Sequence, residues 1–218
     1  MVALLNLNAS KFQIIPLSID LEHHTGRPRN HAGQPLTIGY FARLAPEKGL
    51  HHLLDAFAIL HGRHPEVQLR IGGYEPAQHR SYIQQQRERA QVFGQSVQFI
   101  GSPDTIADKV DFYHSIDLLS VPTDFHEPKG IFVLEAWANG VPVVQPAAGA
   151  FPELLGPDEE GGILVPHRDA PALAHAWEDL LTDPARRMEL ARLGYGRVRR
   201  IHASSIAAQT TLIALTAL

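Results

Sequence analysis

Cysteine is absent from the chain, which excludes disulfides and thiolate-held metal or redox centres. No Asp-x-Asp pair occurs, so a common carboxylate signature for a divalent cation on a diphosphate is missing. Neither G-x-G-x-x-G nor a Walker A pattern is present, which argues against dinucleotide-binding and NTPase domains. Basic residues are not in excess: 19 Lys and Arg stand against 23 Asp and Glu, for a net charge of -4. Non-specific nucleic-acid binding is therefore not expected. Long apolar runs are missing too. The N-terminal stretch MVALLNLNASKF has no basic start and only a four-residue apolar run, so neither a signal peptide nor an integral membrane span is expected. A cytoplasmic address follows as the expectation.

What is present is enough for a core. Of 218 residues, 44% are hydrophobic and 19% charged, which suits one α/β domain and is tight for two. The thirteen histidines, including His23-His24, His51-His52 and His61-Gly-Arg-His64, match no zinc spacing. They are expected on solvated surfaces and helix flanks, with no resident metal.

Along the chain, 25–35 (TGRPRNHAGQP) is polar and rich in Gly and Pro, the composition of a linker or long turn. Six short apolar segments then read as strands: 36–42, 67–73, 96–101, 117–123, 141–145 and 161–166. Between them, 47–64 carries apolar residues at 50, 53, 54, 57 and 60, which is helical spacing. Residues 77–93 read as a polar, exposed helix. Residues 105–116 read as a helix with Ile106, Val110 and Phe112 or Tyr113 inward. Residues 132–140 read as a helix closed by Gly140, and 151–156 as a helical turn. Helices at 170–182 and 184–202 each open on a Pro. The apolar tail 204–217 reads as helical. Strands alternating with helices mean βαβ crossovers, hence an α/β, doubly wound, Rossmann-like parallel sheet of about six strands. In such a sheet the ligand loops follow the carboxyl ends of strands.

Three loops fit that rule. ARLAPEKG places Arg43 and Lys48 on either side of the expected start of a helix, and two cations beside free helix N–H groups suit a diphosphate. The same two residues also suit an ordinary solvated surface. DFHEPKGIFVLEAWANG places Glu127 in a loop and Glu135 in a helix, with seven residues between them. Gly130 permits a close backbone approach, and Ile131 and Phe132 offer N–H groups at the helix start. A carboxylate accepts from two vicinal hydroxyls, so carboxylates on both sides of an anion-binding helix end suit a nucleotide sugar. Taken singly, Glu135 reads as a helix-dipole residue and Glu127 as a solvated loop charge; the conjunction with Gly130 favours a site. IGGYEP (71–76) and SPD (102–104) could form a base pocket or plain turns.

EPKGIFVLEAWANGVPVV resembles the E-x7-E signature of retaining GT-B glycosyltransferases, the group 1 glycosyl transferases or glycosyltransferase family four. The resemblance extends over 36–200 and includes FARLAPEKGLHHLLDAF, VQFIGSPD, FYHSIDLLSVPTDFHEP and AGAFPELLGPDEEGGILVPHRD. KFQIIPLSID (11–20) resembles the segment joining the family's two domains. It implies the C-terminal, donor-binding half of a GT-B fold. It also implies that Arg43 and Lys48 hold the donor diphosphate, that Glu135 takes the ribose hydroxyls, and that Glu127 takes those of the transferred sugar. Arg43, Lys48 and Glu127 would carry the catalysis. The N–H groups of Gly130, Ile131 and Phe132 would lie under sugar and phosphate, with Ile100, Gly101, Ser102 and Pro103 towards the base. Gly73 and Lys129 complete the implied donor set. This sequence departs from the family pattern in having Lys129 where an aromatic is usual, Gly72-Gly73-Tyr74-Glu75 in a glycine-acidic-glycine loop, and Ser18 for a linker glycine.

The resulting expectation is a donor domain, 36–202, preceded by a remnant and linker, 1–35, and followed by a C-terminal helix, 203–218. It would bind a UDP- or GDP-linked sugar without cofactor or metal and transfer a hexosyl group. An N-terminal acceptor domain would be needed in cis or in trans, so that the chain alone transfers nothing. A non-catalytic sugar-nucleotide-binding subunit and an epimerase-like domain are the rival readings. The tail is expected to fold onto its own domain, to meet a second copy, to be disordered, or to be a core helix.

Overall fold

The computed structural model describes residues 12–26, 28 and 35–216. The strands are β1 (Thr37–Phe41), β2 (Gln68–Gly72), β3 (Val97–Gly101), β4 (Leu118–Leu119), β5 (Val143–Pro146) and β6 (Gly162–Val165). They form one parallel sheet in the order β3-β2-β1-β4-β5-β6. The helices are α1 (Leu50–His61), α2 (Arg80–Ala90), α3 (Ile106–His114), α4 (Ile131–Ala138), α5 (Phe151–Leu155), α6 (Ala170–Thr182), α7 (Pro184–Ile201) and α8 (Ser204–Thr216). The strand order reverses between β1 and β4, and doubly wound sheets bind ligands at that crevice, outside the carboxyl ends of the strands.

Burial follows position in the sheet. All of β5 and Thr37–Tyr40 of β1 are buried, as expected for parallel strands covered on both faces. Edge strand β3 alternates between half-buried and exposed residues. Helix α1 lies against α6, and α4 against α7. Trp137 of α4 is fully buried and donates its indole N–H to Gly161 O at 2.9 Å. It is seated on Gly194 of α7, where an added Cβ would come within 2.4 Å of its ring. The two helices therefore meet through a glycine slot that any larger residue would fill.

Four expectations change. The strand expected over 117–123 pairs only at Leu118–Leu119. Beyond Ser120, the N–H of Val121 goes to the side-chain oxygen of Gln145 at 3.2 Å rather than to a ladder carbonyl, and Pro122 has no N–H to give. The chain thus leaves the sheet early and opens the crevice. The helix expected from 47 begins at Leu50, after a 3-10 turn at Pro46–Lys48 and a left-handed Gly49. Arg43 and Lys48 therefore both precede α1 instead of flanking its start. Ile106, expected inward, is exposed: it stands on the first turn of α3, where Thr105 and Asp108 cap each other beyond the core. Phe112 and Tyr113 are both buried.

The tail is helical but is not a core helix. No residue of α8 is buried, and Leu212, Ile213 and Leu215 are exposed. Its apolar residues have no single stripe to offer one surface. The helix springs from a bridge between Ile19 and Ala203, reinforced by the N–H of Ser204 on Ile19 O at 3.0 Å. Residues 24–26 also lie on the domain: Gly26 donates to Ala138 O at 3.0 Å and the Asn139 amide meets His24 at 2.9 Å. Most of the turn expected over 25–35 lies outside the described residues.

Candidate functional site

The loops after β1, β2, β3 and β4 meet at the reversal. Leu44 donates to Tyr74 O at 2.8 Å, Gly73 donates to Gly101 O at 2.9 Å, and Asp124 donates to Glu47 O at 2.9 Å. Gly49 makes a close backbone approach. Its φ is +71°, and a Cβ there would lie 1.8 Å from Pro122 O. No other residue fits, so Lys48, its neighbour, is pinned against the loop after β4.

Lys48 points at Glu127. Its ammonium pairs with Glu127 Oε2 and lies 4.9 Å from the Phe125 ring centre and 5.8 Å from that of Phe132. Glu127 is only 5% exposed, which removes the reading of it as a solvated loop charge. Its other oxygen accepts from the N–H of Lys129 at 3.2 Å and of Gly130 at 3.1 Å. The loop closes behind it through Ala150, whose N–H reaches Glu127 O at 2.7 Å. Arg43 is more open, with 47% of its side chain exposed, and pairs with Glu47.

Helix α4 begins here. Gly130 caps it in the left-handed region with no side-chain partner for the first turn. A Cβ at Gly130 would come within 2.8 Å of Leu154. Among the described residues, no side chain caps the N–H groups of Ile131 and Phe132. Free N–H groups at a helix start, next to the Lys48 ammonium, favour an anion.

Glu135 sits one turn further on, on the side facing α3. Lys109 donates to its Oε1 at 2.9 Å and the Tyr113 hydroxyl to its Oε2 at 2.9 Å. This is a specific double contact, not a helix-dipole placement. Burial pushes the Tyr113 hydroxyl well above its ordinary range, and the Glu135 charge adds to this; the phenol stays a proton donor. Phe41 closes the group, 5.0 Å from Phe112 and 5.8 Å from Tyr113 between ring centres, with the Lys109 ammonium 5.8 Å from its own. Ile100 is 45% exposed and its side chain reaches over Gly72 beside Phe41; Ser102 is exposed and Pro103 half-buried. These residues make an apolar ledge next to Glu135.

Sequence reasoning thus named Arg43, Lys48, Gly73, Glu127, Gly130, Ile131, Phe132 and Glu135, and the structure brings them to one crevice. Lys129 is exposed and borders a surface hollow that Pro128, Glu153 and Arg197 also line. Sequence reasoning did not place Lys109, Tyr113, Phe41 or Phe125 in the site. The signal for the first two was their i,i+4 spacing on α3, a polar pair on one helix face. The arrangement offers a cationic, N–H-lined mouth between a carboxylate on a polar loop and a carboxylate beside an aromatic ledge.

Comparison with known proteins agrees with this fold. The family described as glycosyl transferases group 1 matches residues 25–197. The chain is 30% identical over 191 residues to a D-inositol 3-phosphate glycosyltransferase of Corynebacterium aurimucosum, covering 85% of this chain and 45% of that protein. It superposes with a TM-score of 0.83 on Alr3699/HepE of Anabaena, crystallised with UDP and glucose, at 22% identity, covering 99% of this chain and 60% of that one. The C-terminal domain of the group 1 glycosyl transferase LpcC of Francisella tularensis is covered completely, with 86% of this chain, a TM-score of 0.74 and 22% identity. The chain spans about half the length of the curated relatives it matches.

Proposed function

This chain belongs to the group 1 glycosyl transferases, and from that premise we propose that it is the donor side of a retaining, metal-independent glycosyl transfer. The donor is a UDP- or GDP-linked hexose. The acceptor is held by a further domain, in cis or in trans. The observation that carries this reading is the pair of glutamates on either side of the α4 N-terminus. One meets a lysine held at the β1–β4 reversal, and the other lies beside an aromatic ledge.

The diphosphate lies over the N–H groups of Ile131 and Phe132, with Arg43 and Lys48 as its counter-charges. As the bond to the anomeric carbon breaks, negative charge grows on the leaving phosphate. Fixed donors and cations there lower the barrier, and each such contact is typically worth about a hundredfold in rate or more. Glu135 accepts from the ribose hydroxyls, with Ile100, Gly101, Ser102 and Pro103 along the base. Glu127 accepts from hydroxyls of the transferred sugar once the phosphate has drawn Lys48 towards itself. A thermal-shift panel of UDP-, GDP- and ADP-sugars tests the reading. One base class raises the melting temperature; a flat response to all three would sink it.

A further inference from the structure

Outside the donor set, three ligating side chains converge. His51 and His52 open α1, Asp124 lies in the loop after β4, and their ligating atoms all lie within 4.8 Å of one another. His52 Nε2 is 2.9 Å from Asp124 Oδ1. Bonds of about 2.0–2.2 Å to one Zn2+ place neighbouring ligand atoms about 3.3 Å apart in a tetrahedron, so this pair is already near the required edge. The two imidazoles lie with ring centres 4.0 Å apart and their planes tilted by 44°. The outer contacts also suit metal ligation. The Tyr82 oxygen lies 3.0 Å from His51 Nδ1 and 3.3 Å from the His51 N–H. Accepting from both, it would fix the tautomer that leaves Nε2 free, the role outer partners play at metal centres. Arg168 donates to Asp124 Oδ1 at 2.6 Å and to Asp124 O at 3.1 Å. With 57% of its side chain exposed, it can move aside or keep one carboxylate oxygen while the other turns to the ion.

We propose that His51, His52 and Asp124 bind one transition-metal ion of the Zn2+ class, tying the start of α1 to the loop that carries Glu127. Two neutral imidazoles and one carboxylate are a borderline-soft set, which selects Zn2+ or Co2+ over Mg2+ and Ca2+. Three protein ligands leave a fourth position to water. None of the three residues belongs to the donor set, so the ion is not a cation of the transfer step, and the inference does not depend on the function proposed above. Its effect is mechanical. Lys48 and Glu127 come from the two segments that the ion joins, next to the existing Asp124 N–H bond to Glu47 O.

The test uses the full chain without a histidine tag, stripped with EDTA and titrated with Co2+. Visible absorption reads the coordination, and Zn2+ affinity is read by competition with a chromophoric chelator. The expected result is one ion per chain with the ligand-field band of a four-coordinate site. Affinity should fall at least about tenfold in Asp124→Asn and in the His51→Gln/His52→Gln double variant. Arg168→Ala, which removes a competing cation, should bind more tightly. Far-UV circular dichroism checks folding; if the double histidine variant does not fold, Asp124→Asn alone decides. No bound Co2+, or binding unchanged in Asp124→Asn, would overturn the assignment.

Discussion

Glu127 and Glu135 are the same residue eight positions apart, and each faces a lysine, but they are held differently. Glu127 is woven into the main chain: its carboxylate takes two backbone N–H groups as well as Lys48. Among the described residues the Glu135 carboxylate is held by side chains alone, the Lys109 ammonium and the Tyr113 hydroxyl. The first therefore builds the loop that presents it, while the second rides on a helix that forms without it. The difference separates structural cost from binding cost at two positions that a sequence pattern treats alike.

The largest effect should be on stability. Glu127→Ala leaves two N–H groups and a mostly buried ammonium without a partner, and should cost about 3 kcal/mol in urea unfolding. Glu135→Ala should cost about 1 kcal/mol, since Lys109 is one-third exposed and finds water. Equal losses would break the contrast.

Binding should show the reverse. Glu135→Ala should weaken UDP or GDP by roughly tenfold to a hundredfold, the value of about 1.5–3 kcal/mol for a hydrogen bond to a charged group. Glu127→Gln, which keeps the shape of the loop, should leave the nucleoside diphosphate unaffected or tighter, because Lys48 is released. It should weaken only the intact nucleotide sugar. Calorimetry with both ligands reads this, and parallel losses for the two variants would reverse the assigned roles.

A smaller effect concerns pH. The Tyr113 hydroxyl titrates well above its ordinary value of 10.0 in the folded chain, because it is buried and faces Glu135. The unfolded chain therefore loses this proton first. The stabilisation is complete below about pH 10 and declines as pH rises beyond it. Tyr113→Phe should lessen that alkaline decline, to which Tyr40 and Tyr82, also pushed up by burial, still contribute, and should weaken nucleoside diphosphate binding by a few-fold. An unchanged alkaline profile would show that Tyr113 is not among the groups that titrate there.

Much of this was legible in the sequence. The six strands come from short apolar runs, and the site loops from the rule that ligands gather at strand carboxyl ends. What escaped was set by contacts distant in sequence. β4 stops early because the Gln145 side chain, 24 residues on, captures the Val121 N–H. α1 starts late because Gly49 must pass Pro122. Lys109 and Tyr113 looked like ordinary helix residues until α3 was placed beside α4. The apolar tail could not be assigned by periodicity, since a core helix and an exposed one can share its composition. His51 and His52 have no zinc spacing along the chain because their partner, Asp124, is 72 residues away from His52.

The central claim is that the β1–β4 crevice binds a nucleoside diphosphate through cations and helix N–H groups, without a metal ion. Calorimetry of the full chain with UDP and with GDP, each in excess EDTA, tests it most directly, with Arg43→Ala as the second arm. One of the two ligands should bind with its heat and stoichiometry preserved in EDTA, and Arg43→Ala, a half-exposed side chain whose loss the fold tolerates, should weaken it about tenfold or more. Binding that disappears with the chelator, or that Arg43→Ala leaves untouched, would contradict the account.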